Sequence, residues 1–109
     1  MMMNDTLKTI DTVIRENPVV LFMKGTADFP MCGFSSRVVQ ILQDLDADFV
    51  VMNVMADPDL RQGIKDYTNW PTIPQLYVKG EFIGGCDIIT DLYKTGELQT
   101  ILEGVGVGL

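Results

Sequence analysis

A chain of 109 residues that is 47% hydrophobic carries enough apolar surface for one compact core, and it is too short for two ordinary domains. Eight basic against fifteen acidic residues give a net charge of −7, with no Lys/Arg stripe, which argues against nucleic acid as a partner. The longest early apolar run, Val19 to Met23, is too short to span a bilayer, and Met1 to Asp5 carry no basic segment, so neither anchoring nor export is expected.

From Asp5, the residues Leu7, Ile10, Val13 and Ile14 recur at helical spacing until Asn17-Pro18 ends the pattern. Val19-Val20-Leu21-Phe22-Met23 then reads as a buried strand. Gly25 to Met31 form a loop, and Val38, Val39, Ile41, Leu42 and Leu45 mark one face of a helix from about Cys32 to Asp44. Phe49 to Val54 read as a second buried strand, and Asp57-Pro58-Asp59 opens a third helix with an N-cap acid and a proline at its first position. That helix carries Leu60, Ile64 and Tyr67. Gln75 to Val78, the Lys79-Gly80 turn and Glu81 to Ile83 read as a hairpin, and Gly84-Gly85 breaks the sheet. Asp87 is the expected cap of a helix with Ile88, Ile89, Leu92 and Tyr93, stopped by Gly96, and Leu98, Ile101 and Leu102 mark one more short helix. The order α-β-α-β-α-β-β-α-α predicts an α/β fold with a four-stranded mixed sheet flanked by helices on both faces. One domain over residues 1–109 is expected, with 1–4 and 104–109 frayed.

Chemistry concentrates in three places. In Cys32-Gly33-Phe34-Ser35 a thiol opens a helix, where free N–H groups and the helix dipole, with Lys24 at the end of the preceding strand, favour the thiolate. Serine replaces the second cysteine of a disulfide reductase, so the resolving thiol must come from elsewhere, which points to glutathione exchange or metal-cluster ligation. A small buried hydrophobe is the ordinary alternative for an isolated cysteine. In Trp70-Pro71-Thr72-Ile73-Pro74 a cis peptide before Pro74 would turn the Ile73 backbone outward for a peptide to pair with, although most such prolines only punctuate turns. Gly84-Gly85-Cys86-Asp87 combines backbone freedom with a helix N-terminus able to receive a carboxylate, while Asp87 is suited to an ammonium. Lys24 and Arg61 are the basic residues placed near this face, where a solvated surface charge is the alternative role.

The absence of histidine excludes imidazole bases and imidazole metal ligands. Two cysteines cannot supply four thiolates, so a cysteine-type iron–sulfur site needs a second subunit, a small thiol, or both. Two cysteines and no disulfide framework also suit a reducing compartment, and a cytoplasmic location is expected. Whether Cys32 and Cys86 can pair depends on their Cα atoms lying within about 7 Å.

Together with Phe22-Met23-Lys24-Gly25-Thr26, these motifs resemble the monothiol glutaredoxins of the Cys-Gly-Phe-Ser class, over roughly residues 5 to 103 and in the short single-domain form. The resemblance implies the thioredoxin fold, with Pro74 as the cis-proline. It implies glutathione across the described face: Lys24 and Arg61 at the glycyl carboxylate, Ile73 along the central backbone, Cys86 and Asp87 at the γ-glutamyl end. It further implies a [2Fe–2S] cluster bridged in a homodimer by two Cys32 thiolates and two glutathione thiolates. The implied role is a carrier for iron–sulfur acceptor apoproteins, often with a BolA-type partner in place of one subunit. A glutathione-dependent oxidoreductase that uses Cys32 alone is the alternative function.

Overall fold

The computed structural model describes residues 5–104. The expected fraying of 1–4 and 104–109 therefore falls outside the described residues, except at Gly104, which follows the last helix. In chain order the elements are α1 (Asp5–Glu16), β1 (Val19–Met23), α2 (Gly33–Asp44), β2 (Val50–Asn53), α3 (Pro58–Thr68), β3 (Gln75–Val78), β4 (Glu81–Gly84), α4 (Cys86–Thr95) and α5 (Glu97–Glu103). The strands form one sheet in the order β2-β1-β3-β4, with β1 and β2 parallel and the other pairs antiparallel.

β1 is buried at all five positions, because both faces of the sheet are covered. Val19, Leu21 and Met23 face α2, α4 and α5 in one apolar cluster, while Val20 and Phe22 join Ile10, Ile14 and Ile64 from α1 and α3 in the other. Period-2 alternation thus serves two cores at once, so the strand reads as a continuous hydrophobic run. α1 and α3 are tied by Tyr67 Oη, which donates to Asp11 Oδ1 at 2.8 Å, and Asp11 also pairs with Arg15.

Two sequence readings need correction. β2 is an edge strand, shorter than expected, with Val50 exposed and Val51 to Asn53 half-buried; apolar residues alone do not say which edge of a sheet a strand takes. Asp87 does not cap α4. Gly85 takes that position in an extended conformation, where a Cβ would meet the Pro74 carbonyl at 3.3 Å and Trp70 Nε1 at 3.5 Å. Asp87 instead lies in the first turn, where its charge suits the helix dipole. The expected cap of α3 holds, with the Asp57 side chain accepting from Asp59 N–H at 2.9 Å and Pro58 following it.

Candidate functional site

The carboxyl end of β1, the N-termini of α2 and α4, helix α3 and the loop before β3 converge on a groove of about 450 Å³. Lys24, Cys32, Arg61, Ile73, Cys86 and Asp87 all line it. The sequence pattern therefore brought together residues up to 63 positions apart, the span from Lys24 to Asp87.

Cys32 is the N-cap of α2, half-buried and unpaired. Its thiol is held below the ordinary range chiefly by the backbone N–H of Ser35, then by that of Phe34, the charge of Lys24 and the Ser35 hydroxyl, against a desolvation cost that acts the other way. A Cβ at Gly33 would meet nothing within 4 Å, so the approach to the sulfur is open on that side. Phe34 also lines the groove but is 63% exposed, and Phe29 and Met31 in the preceding loop are exposed apolar residues as well. Ser35 has no exposure at all. Its Oγ accepts from the Lys24 backbone N–H at 3.1 Å, tying the start of α2 to the end of β1.

The loop between them is equally constrained. Gly25 has φ +94°, and a Cβ there would run into the Phe29 carbonyl and lie 2.7 Å from Met31 N. Gly25 N–H donates to Asn53 Oδ1 at 3.0 Å, as does Met55 N–H at 2.9 Å, so one buried-edge amide joins the loops after β1 and β2. Met31 N–H closes the loop on the Lys24 carbonyl at 2.8 Å.

Trp70 to Pro74 form one wall. The Ile73–Pro74 peptide is cis, as the family resemblance implied, and the Ile73 side chain is buried while its backbone makes no hydrogen bond among the described residues. Trp70 packs against Phe82 with ring centroids 5.6 Å apart. At the far end, Cys86 is half-buried, 4.0 Å from Thr90 Oγ1, and Asp87 is exposed. Cys32 and Cys86 line the same groove as free thiols.

Sequence reasoning missed Lys65, which adds a third cation to the groove. Its spacing of four from Arg61 on α3 places both on one helical face, a signal that was available. Among the described residues, Lys24, Arg61 and Lys65 have no carboxylate within 4.0 Å, and Asp87 has no basic partner. The groove thus offers cations beside α3, an anion and a helix N-terminus at α4, open backbone at Ile73, and an acidified thiol between them. No group of three or more His, Cys, Asp or Glu suited to a metal occurs among the described residues. Nor is any helix there long and apolar enough to cross a membrane.

A family model described as Glutaredoxin matches residues 19–83. The chain is 61% identical over 95 residues to monothiol glutaredoxin-S7, chloroplastic, of Oryza sativa subsp. japonica, which covers 87% of this chain and 56% of that relative. It therefore spans little more than half that relative's length. Among solved structures, reduced poplar apo GrxS14 is 57% identical with a TM-score of 0.78 and covers 89% of each chain. A buckwheat glutaredoxin–glutathione complex is 26% identical with a TM-score of 0.82, covering 93% of this chain and 90% of its own.

Proposed function

This chain belongs to the glutaredoxin family, in its monothiol branch, and we propose that it binds a [2Fe–2S] cluster together with glutathione and passes it to iron–sulfur acceptor apoproteins. The observation that carries the reading is Cys32: an accessible, acidified thiol whose helical neighbour at the resolving position is a buried serine engaged by Lys24 N–H. With serine at the resolving position, the adjacent turn of the helix offers that thiol no disulfide partner.

Glutathione has the complementary chemistry for the groove. Its glycyl carboxylate suits Lys24 and Arg61, its cysteinyl backbone suits Ile73, and its γ-glutamyl end, with one ammonium and one carboxylate, suits Asp87 and the N–H groups at Cys86. That a buckwheat glutaredoxin of the same fold is solved as a glutathione complex supports glutathione as the ligand. The cluster is cargo here. In this reading Cys32 is the one iron ligand from each chain, so Cys32 from each of two copies and a thiolate from each of two glutathiones give the four sulfur ligands. Half of these ligands, the two glutathiones, are then exchangeable with free glutathione or with an acceptor's thiols, which suits transfer. A homodimer is the cluster-bound form in this reading, and a BolA-type protein is a substitute for one subunit. Two cysteines without a disulfide framework favour a reducing compartment, and we read that compartment as the cytoplasm.

The acidity of Cys32 favours a second reading, glutathione-dependent thiol exchange. The Cys32 thiolate attacks the glutathione sulfur of a protein mixed disulfide and releases the protein thiol. A second glutathione thiolate then attacks the Cys32–glutathione disulfide, forming glutathione disulfide and restoring the Cys32 thiolate.

Anaerobic reconstitution with iron and sulfide, read by visible absorption and by size-exclusion mass, separates the two. A coloured dimer that requires glutathione and is abolished by Cys32→Ser supports the carrier. Cys86 supplies no iron ligand in this reading, so equal loss from Cys86→Ser would indicate a cluster held by four protein cysteines. A colourless monomer under every condition, with turnover of a glutathionylated substrate, would favour exchange.

A further inference from the structure

Gln75 opens β3 opposite Phe22, and its side chain is wholly buried. Its Nε2 donates to the Trp70 carbonyl at 3.2 Å and to the Thr72 carbonyl at 3.1 Å, which uses both amide hydrogens. Its Oε1 is buried without a partner among the described residues. An unpaired buried acceptor opposes folding, and an apolar side chain of the same length would avoid that cost.

The Thr72–Ile73 peptide is trans. In a planar trans peptide the N–H points opposite to the C=O. A Thr72 carbonyl turned inward to Gln75 therefore aims the Ile73 N–H outward, and that N–H has no acceptor among the described residues.

We propose that Gln75 is a positioning residue: by anchoring the Trp70 and Thr72 carbonyls it fixes the groove wall so that the Ile73 N–H is presented to the backbone carbonyl of a bound thiol peptide. The proposal rests on the reading that glutathione occupies this groove. Gln75 touches neither the ligand nor the reacting sulfur; it holds the donor that does.

The test compares the equilibrium constants for forming a Cys32 mixed disulfide from glutathione disulfide and from hydroxyethyl disulfide, which has no peptide backbone. The parent is expected to prefer glutathione strongly. Gln75→Met is expected to lose about tenfold of that preference, as for one lost hydrogen bond to the ligand, while hydroxyethyl exchange and the Cys32 pKa stay at parental values. Its melting temperature is expected within about 4 °C of the parent, because loss of the orphan acceptor offsets the two lost bonds. Gln75→Asn, one methylene shorter, is expected to lose preference as well. A folded variant that keeps the parental preference overturns the role of Gln75 alone, whereas a parent with no preference overturns the glutathione reading and the proposal with it. Independently of any variant, the Gln75 side-chain amide protons of the parent must exchange slowly with solvent; rapid exchange overturns the anchor.

Discussion

Replacing Ser35 with alanine separates two roles of that serine, a tie between elements and a hydrogen-bond donor to the thiolate. The hydroxyl is fully buried and accepts from the Lys24 backbone N–H at 3.1 Å. Alanine leaves that N–H without its partner, at about 1–3 kcal/mol for an unpaired donor in a partly buried setting. At about 4 °C per kcal/mol for a domain of this size, the melting temperature falls by about 4–12 °C. The thiol responds differently. The backbone N–H groups of Ser35 and Phe34 and the charge of Lys24 each lower the Cys32 pKa more than the Ser35 hydroxyl does. Ser35→Ala is therefore expected to raise that pKa less than Lys24→Ala does. Thermal melting followed by circular dichroism and the pH dependence of thiolate absorbance at about 240 nm measure the two effects on the same samples. An unchanged melting temperature, or a thiol shift larger than that of Lys24→Ala, would refute the reasoning.

Alkylation of Cys32 by iodoacetamide should reach half its limiting rate below the ordinary thiol range. Because the folded pKa is lowered, the unfolded chain binds more protons between the two values, so the reduced protein should gain stability as pH rises through that window; Cys32→Ser should abolish the gain in denaturant titrations. Tyr67→Phe should destabilise the protein at neutral pH. The deficit should shrink in acid, where Asp11, whose folded pKa is lowered, becomes protonated, and again above the raised pKa of Tyr67, as chemical melts across pH would show. Arg61→Gln and Lys65→Gln should each weaken the Cys32–glutathione mixed disulfide several-fold at low ionic strength, with the difference from the parent narrowing in high salt. A loss independent of salt would mean the two cations act through packing.

Much of the fold was legible because each local signal agreed with its neighbours. Asn17-Pro18 ended α1, Asp57-Pro58 started α3, and Lys79-Gly80 set the hairpin, each through backbone chemistry that needs no tertiary information. Phe49 to Val54 could not announce an edge position, since edge and centre differ in what covers the strand, not in its residues. Likewise Asp87 has the chemistry of a cap, but α4 begins two residues earlier, with Gly85 as its N-cap, close to the Pro74 carbonyl. The site was legible where a motif marked it, at Cys32, Ile73 and Cys86. Lys65 and Gln75 were harder: one lacks a motif, and the role of the other rests on hydrogen bonds to a loop whose path is set by tertiary packing.

In the proposed function, cluster and glutathione are held together by two copies of Cys32. Native mass spectrometry of the reconstituted protein tests it most directly. The expected species holds two chains, two irons, two sulfides and two glutathiones, and it disappears with Cys32→Ser. A cluster-bearing species without glutathione, or one that survives loss of Cys32, would contradict it.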